Sequence, residues 1–292
     1  MNPTYTLSAG RRRANRLATV AVTGAVFLAL IPLVWLLVTV VSRGFARLDA
    51  QFFTWSMRGV VGEGGGAIHA IVGTVLITAA TTAICVPIGV GTAIYLVEYG
   101  RGWLPRVIRF VVVVLTGLPS IVAGLFVYAV IMAICGPGTR SGLAGAAALS
   151  LLMIPVVITS SEEILALVPN RLREAAIGLG ATKHRIITTV IWPHALSGIV
   201  AAVMLGVCRI IGETAPLLLV AGFADSMNTD LTSGRMSTLP VYIYSQWQNK
   251  GANLAAYDNR AWTAALVLIG LVLIFAVASR LIVRLTSSRP QR

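Results

Sequence analysis

The sequence predicts an all-α, polytopic membrane protein with six transmembrane helices. Three observations lead to this fold class. Of the 292 residues, 57% are hydrophobic and only 11% are charged, the mean hydropathy is +0.86, and the charged residues fall between long apolar runs. Several of these runs exceed the roughly 20 residues that a helix needs to cross about 30 Å of hydrocarbon. A water-soluble domain of ordinary composition is therefore excluded.

The first apolar run follows a basic N-terminal cluster and covers residues 17–41. A cleavable secretory signal has an apolar core of about 7–15 residues and a small-residue cleavage pattern, whereas this run is longer and lacks an Ala-x-Ala ending. We therefore expect it to be retained as the first helix. The six predicted spans are 17–41, 67–97, 107–134, 142–160, 195–221 and 261–285.

The distribution of Lys and Arg predicts the orientation in the membrane. With the N-terminus inside, fifteen basic residues fall on the inner side and seven on the outer side. Because Lys and Arg are retained on the cytoplasmic side, both termini are predicted to be cytoplasmic. The formal net charge of +13 then reflects topology and contact with membrane lipid. No aromatic-interleaved basic face or helix-turn-helix pattern indicates a nucleic-acid partner.

This topology divides the chain into three regions. Residues 1–66 are expected to hold a cytoplasmic tail, the first helix and an external loop. Residues 67–286 are expected to form a core of five spans with a cytoplasmic loop at about 161–194, and residues 287–292 a second cytoplasmic tail. The cytoplasmic loop is too polar to span the membrane and too patterned for a random linker.

The pattern of this loop predicts short helices. Residues that typically start or stop helices recur along it: the capping-box pair Ser160 and Glu163, then Pro169-Asn170, Thr182 and Pro193. A short helix is therefore expected over 171–179. Its small residues permit close approach to a groove on another protein. The alternative is an amphipathic helix that lies at the lipid headgroups.

Within this loop, one spacing resembles the EAA loop of ABC importer permeases. The motif is Glu-Ala-Ala, three residues, Gly, nine residues, an apolar residue and x-x-Pro. It is carried here by Glu174, Ala175, Ala176, Gly180 and Pro193. Val190 and Trp192 replace the Ile and Leu that are usual in the family, and both exchanges are apolar. In that family the loop docks into a cleft of a cytoplasmic ATPase and transmits its closure, so the resemblance implies ATPase coupling for these five residues.

Two ionisable residues fall inside the fifth predicted span. Arg209 and Glu213 are four residues apart, on one face of a continuous helix, where they can pair. A lone Arg at a helix centre costs about 2.5–3.5 kcal/mol on insertion scales, so it normally faces a partner or an aqueous cavity. Three interpretations stay open: the two charges merely neutralise each other, Glu213 lies near the outer membrane interface, or the guanidinium contacts an oxyanion, which its planar fork of donors suits.

The segment 209–216, Arg-x-x-Gly-Glu-Thr-Ala-Pro, resembles the signature of phosphate-specific ABC importer permeases. Segments 117–126, 154–155 and 238–244 agree, and the resemblance covers roughly residues 67–285. Segments Leu-Pro-Val-Tyr-Ile-Tyr and Ala-Trp-Thr-Ala-Ala are more similar to the PstA subunit type than to PstC. The resemblance implies the type I permease fold of ABC importers, in a bacterial plasma membrane, with Arg209, Glu213 and Thr214 on the substrate pathway.

The same resemblance implies partners. These are a second, PstC-like permease subunit that forms a heterodimer, cytoplasmic ATP-binding subunits, and an extracytoplasmic phosphate-binding protein. Two alternatives stay open. One is a permease for another oxyanion, such as molybdate, sulfate or a phosphonate, and the other is an ATP-independent transporter or channel, although no inverted repeat is visible.

The sequence indicates no catalytic chemistry, cofactor or metal site of its own. It has no Gly-x-x-x-x-Gly-Lys-Ser/Thr phosphate loop and no Gly-x-Ser-x-Gly elbow, and its histidines lack metal-ligand spacing. ATP hydrolysis is therefore expected on a partner chain. Pro119, Ser120 and Pro155 are predicted helix-break or pathway positions, because proline in a span frees backbone groups that only protein or a cavity can satisfy.

Overall fold

A computed structural model describes residues 9–251 and 253–287, and these residues form helices with no β-strand among them. The predicted tails at 1–8 and 288–292 lie outside the described residues. In chain order, the α-helices are α1 (Ala9–Gly44), α2 (Ala50–Thr54), α3 (Ile68–Ile94), α4 (Leu104–Thr116), α5 (Ser120–Cys135), α6 (Gly142–Ala166), α7 (Asn170–Gly178), α8 (Lys183–Ile186), α9 (Trp192–Ile211), α10 (Ala215–Val220), α11 (Leu239–Gln248) and α12 (Leu254–Ser287). A π-helical turn extends α3 over Tyr95–Tyr99, and another joins α8 to α9 over Ile187–Ile191.

Six membrane spans can be assigned within the described residues. Five helical stretches are long and apolar enough to cross a membrane: Gly10–Arg47, Ile68–Tyr99, Gly142–Ala166, Lys183–Ile211 and Leu254–Arg284. The sixth span is the pair α4 and α5, which pack against opposite ends of α6. Arg109 of α4 pairs with Glu162 near the end of α6, and Val127 of α5 packs in a cluster with Ala148 near its start. The predicted all-helical, six-span architecture is confirmed.

The third predicted span, 107–134, is not one continuous helix. The chain turns by 107° between α4 and α5, where Pro119 is extended with ψ 134°. Proline has no backbone N–H and disfavours the helical conformation in the residue before it, so α4 ends before Pro119 and α5 begins at Ser120. The continuous helix that hydropathy suggested is therefore corrected to a broken span.

The fifth predicted span, 195–221, is also broken. α9 ends at Ile211, the next residues form a short connection, and α10 starts at Ala215. Arg209 and Glu213 therefore do not share one face of a continuous helix, and neither forms an ion pair with any residue in the described part of the chain. The pairing that their spacing allowed is therefore not formed in this structure. Gly212 at the end of α9 and Pro216 at the second position of α10 account for the interruption.

α6 is longer and more regular than the sequence suggested. It runs without a break through Pro155, which is buried, so no helix break occurs at that position. Ser160 and Glu163 lie inside α6 and cap no helix start, which corrects the capping-box prediction. The physical reason is tertiary packing. Two-thirds of the most apolar window of α6 is buried within the chain, and this burial outweighs one lost backbone hydrogen bond.

α3 and α6 form the tightly packed centre of the molecule. Gly89 of α3 lies against Val157 of α6, because a Cβ built on Gly89 would come within 2.7 Å of the Val157 side chain. Nearer the other end of the pair, the Thr81 hydroxyl donates to the Ile77 carbonyl and lies 3.5 Å from the Ala146 carbonyl. Small residues let two membrane helices approach closely and gain dispersion contacts. These two spans are therefore expected to behave as one body.

A buried arginine organises the face opposite the predicted cytoplasmic loop. Arg260, at the start of α12, is only 1% exposed. Its Nε donates to Gln246 Oε1 at 2.8 Å, and its Nη1 donates to the carbonyls of Gly62 at 2.6 Å and Gly64 at 3.2 Å. The glycine-rich stretch before α3 is thus anchored to α11 and α12. Burial raises the pKa of the neighbouring Tyr242 hydroxyl above its ordinary value.

Candidate functional site

The structure places the residues of the EAA-type motif on a short helix between spans four and five. α7 covers Asn170–Gly178, within one residue of the predicted helix, after Pro169 as an extended N-terminal flank. Ala176 is buried in the main apolar cluster, together with Val168 and Ile186. Glu174 and Ala175 are exposed. One side of α7 therefore rests on the chain, and the other side is presented outward.

The motif glycine ends this helix in a defined way. Gly180 has φ +77°, its N–H donates to the Ile177 carbonyl at 2.9 Å, and the N–H of Ala181 donates to the Ala176 carbonyl at 3.0 Å. These two bonds form a Schellman cap, which needs a left-handed residue at the position of Gly180. Glycine adopts this conformation without the steric cost that a Cβ brings.

The outward side of this segment is apolar as well as charged. Ile177 is 63% exposed and Leu179 is 88% exposed. We call Glu174, Ala175, Ile177 and Leu179 the coupling surface. Pro193, the last motif residue, is exposed at the start of α9. Two exposed apolar side chains beside the charged Glu174 give this surface a composition that suits a helix-in-groove contact.

The inward side of α7 carries Arg173, one of the fifteen basic residues whose positions predict the orientation in the membrane. Arg173 Nε donates to Glu98 Oε1 at 3.0 Å, and Nη2 donates to the Leu165 carbonyl at 3.0 Å. Nη1 donates to the Val168 carbonyl at 2.5 Å and to Asn170 Oδ1 at 3.0 Å. The spacing could have predicted this orientation. Arg173 lies three residues before Ala176, on the same helical face, so an inward Ala176 implies an inward Arg173.

The predicted pathway residues lie around the break in the fifth span. Arg209 is exposed in the last turn of α9, while Glu213 and Thr214 are half-buried in the connection to α10. Thr214 precedes α10 without a side-chain capping bond. Arg209 continues an exposed line along α9 that includes Ala201 and Leu205, four residues apart. Within the described residues, no group of three His, Cys, Asp or Glu could hold a metal ion.

The start of α5 lies beside this break. Gly124 of α5 packs directly on Pro216 of α10, and Val127 and Val220 belong to one apolar cluster. The two helices are therefore parallel, and Ser120 precedes Gly124 by one turn, on the side of Glu213 and Thr214. The N–H of Ser141, the N-terminal cap of α6, donates to the Val220 carbonyl at 3.2 Å. Arg209 belongs to the helical stretch Lys183–Ile211, which is long and apolar enough to cross a membrane, and the six residues of α10, which rise about 9 Å, lie between it and the contact with Ser141.

A pocket of about 450 Å³ opens beside Thr214, between α11 and α12. Its other walls are mainly apolar and aromatic, and include Ile243, Tyr244, Trp247 and Trp262. Tyr244 and Trp247 are 42% and 53% exposed. Such a lining suits an apolar helix or lipid better than a phosphate ion. Thr214 therefore borders two environments, this apolar pocket and the break between α9 and α10, which follows Arg209.

Comparisons with known proteins assign the family. Residues 85–289 match the sequence profile described as binding-protein-dependent transport system inner membrane component. The chain belongs to this family. The permease is 43% identical over 289 residues to phosphate transport system permease protein PstA 1 of Mycobacterium tuberculosis, covering 98% of this chain and 92% of that protein. It is 38% identical over 275 residues to the Yersinia pestis protein of the same description, PstA, covering 94% of this chain and 91% of its relative.

A solved structure of similar shape agrees with this family. A chain of a bacterial alginate ABC transporter, crystallised in complex with a pentasaccharide-bound periplasmic protein, superposes with a TM-score of 0.67 at 13% identity, covering 94% of the permease and 96% of that chain. At this identity the likeness shows the fold alone, which is the type I fold of ABC importer permeases. The permease is thus a multi-pass membrane subunit of an ABC importer and a transport protein, not an enzyme.

Proposed function

We propose that this permease passes phosphate across a bacterial plasma membrane as the PstA-type subunit of an ATP-driven importer. The observation that carries the proposal is the 43% identity, over 98% of the chain, to a protein described as a phosphate transport system permease. The geometry around Arg209 supports it, because a guanidinium inside the spanning layer presents a planar fork of donors to a tetrahedral oxyanion.

The substrate pathway in this proposal runs along the exposed line of α9. An Arg that faced lipid at this depth would cost about 2.5–3.5 kcal/mol, so Arg209 is expected to face protein and water. Glu213 and Thr214 line the same wall. The start of α5 at Ser120, after the break at Pro119, adds a helix N-terminus, whose partial positive charge favours an anion. Pro155 lies in the continuous core helix α6 and is no longer proposed as a helix break.

The proposal includes three kinds of partner, two of which would cover surfaces that are exposed in this chain. A second, PstC-like permease completes the pathway as a heterodimer by covering the exposed line of α9. Cytoplasmic ATP-binding subunits engage the residues of the EAA-type motif, which are Glu174, Ala175, Ala176, Gly180 and Pro193. An extracytoplasmic phosphate-binding protein delivers the ion to the opposite face. Both termini are cytoplasmic, and residues 67–286 form the permease core, with the coupling loop at about 161–194.

Uptake of labelled phosphate by the assembled importer tests the proposal. The permease is produced with its partner subunits in cells that lack other phosphate importers, and unlabelled anions are added in excess. We expect phosphate to abolish the signal, and molybdate, sulfate and a phosphonate to leave it nearly unchanged. Equal competition by one of these anions would favour a permease for another oxyanion. Uptake that persists without the ATP-binding subunit would favour an ATP-independent transporter.

A further inference from the structure

Arg173 connects α7 to the ends of two spans, α3 and α6. The Leu165 carbonyl lies in the last turn of α6, where carbonyls lack the usual partner four residues on, and the Val168 carbonyl lies two residues beyond the end of the helix. The guanidinium supplies donors to both. Its carboxylate partner, Glu98, belongs to the π-helical turn that ends α3. One side chain therefore joins α7 to α3 and α6, the two most closely packed spans.

A second contact ties the same segment to the same turn. Lys183, at the start of α8, places its Nζ 4.5 Å from the centre of the Tyr99 ring. A cation over an aromatic face is attracted by the ring quadrupole. The π-helical turn Tyr95–Tyr99 thus receives a positive side chain from each of the two helices that flank Gly180. Single π-helical turns of this kind are frequent at functional sites.

The Arg173–Glu98 pair is well shielded from solvent. The Arg173 side chain is 15% exposed and the Glu98 side chain is 8% exposed, with Nη2 and Oε1 3.0 Å apart. Buried pairs are screened little by salt, and removing one partner leaves the other charge uncompensated. By contrast, the Arg109–Glu162 pair joins α4 to α6 and is 50% and 25% exposed. It does not involve α7, and it offers a matched control on the same face of the molecule.

We propose that Arg173 and Glu98 are positioning residues that make α7, α3 and α6 move as one body when the ATP-binding subunits close. This inference rests on the proposed function for the direction of the coupling. Closure of the ATP-binding subunits displaces the coupling surface on the outward side of α7. Arg173, on the inward side, transmits this displacement to the ends of α3 and α6. Without the pair, α7 would shift against the spans, and hydrolysis would continue with little transport.

Two single substitutions and two controls test this assignment in the complete importer. Glu98→Gln keeps the size and one acceptor but removes the charge, and Arg173→Gln removes the guanidinium. We expect both to reduce phosphate transported per ATP hydrolysed by about tenfold, while the amount of assembled complex and its basal hydrolysis stay within twofold. Arg173→Lys keeps the charge without the bidentate fork and should be intermediate. Arg109→Gln should leave the transport ratio unchanged.

A distance measurement separates this inference from the assignment of phosphate as substrate. Spin labels are placed at Arg171 on α7 and Ile88 on α3, in a complex without native cysteines. Their separation is compared between the nucleotide-free and vanadate-trapped states. Without Glu98→Gln, we expect the label-to-label distance to be the same in both states. With Glu98→Gln, we expect this distance to shift or broaden in the vanadate-trapped state, whichever anion is transported. The proposal is overturned if the distance without Glu98→Gln itself changes between states, if Glu98→Gln couples normally, or if its only effect is less assembled complex.

Discussion

Gly124 of α5 lies directly on Pro216 of α10, where a Cβ added to the glycine would come within 2.6 Å of the proline Cα. This contact holds the starts of α5 and α10 side by side at the break that carries Arg209. α10 cannot easily move away from α5, because its other side packs on α6, where Gly145 lies against Leu217. The geometry of the proposed pathway therefore depends on the absence of one methyl group.

Gly124→Ala is expected to destabilise the permease by about 1–3 kcal/mol, the usual cost of forcing an extra methyl group into a packed site. It should also reduce phosphate uptake, because α5 and α10 must separate. The matched control is Gly91→Ala in α3, where an added Cβ meets nothing within 4 Å. That change should be neutral or slightly stabilising. Thermal unfolding and uptake of the two variants are compared, and equal behaviour would contradict the packing argument.

Arg209→Gln is expected to lower phosphate uptake by roughly 10- to 100-fold, which corresponds to the loss of a charge-assisted hydrogen bond worth about 1.5–3 kcal/mol. Membrane insertion and subunit assembly should be unchanged, because Arg209 contacts no carboxylate within the described chain. Arg209→Lys should retain part of the activity. Arg235→Gln, at an exposed position in the loop after α10, provides the control. Undiminished uptake by the Arg209→Gln variant would remove Arg209 from the pathway.

Arg260→Gln is expected to destabilise the face opposite the coupling surface. The change leaves the Gln246 side chain and the carbonyls of Gly62 and Gly64 without their donor, at about 1–3 kcal/mol for each acceptor that stays buried. The midpoint of thermal unfolding of the purified importer should therefore fall clearly. Arg58→Gln, at an exposed position in the same connection between α1 and α3, should leave the midpoint unchanged. A similar midpoint for both variants would show that the anchor carries no stability.

The span count and the short helix before Gly180 were predictable because each depends on a local pattern. Apolar run length determines whether a helix can cross hydrocarbon, and the residue spacing around Gly180 specifies a helix end. The breaks were harder to place. Pro119 interrupts its span but Pro155 does not, and the difference is the burial of α6 among its neighbours, which no local pattern reports.

The Arg173–Glu98 pair could not be predicted from either residue alone. Its partners are 75 positions apart in the sequence, and they meet only because α3 packs along α6. The Arg209–Glu213 pair, which the sequence spacing allowed, is absent because the local structure differs from the one that the spacing assumes. Its spacing suits a helix, but the helix ends between the two residues, so the local rule no longer applies.

Gly180→Ala tests whether the coupling surface depends on the Schellman cap that ends α7. The Ala variant must hold φ near +77°, which costs an L-residue about 1–2 kcal/mol, or abandon the Schellman cap and let α7 unwind. In either case Leu179 and the rest of the coupling surface shift relative to Pro193. We expect ATP hydrolysis to continue while phosphate uptake falls severalfold. Gly178→Ala changes a glycine inside the same helix, where an added Cβ meets nothing within 4 Å and where alanine is the better helix former. Its uptake should match that of the unaltered permease, and equal uptake by both variants would refute the requirement for a left-handed residue at position 180.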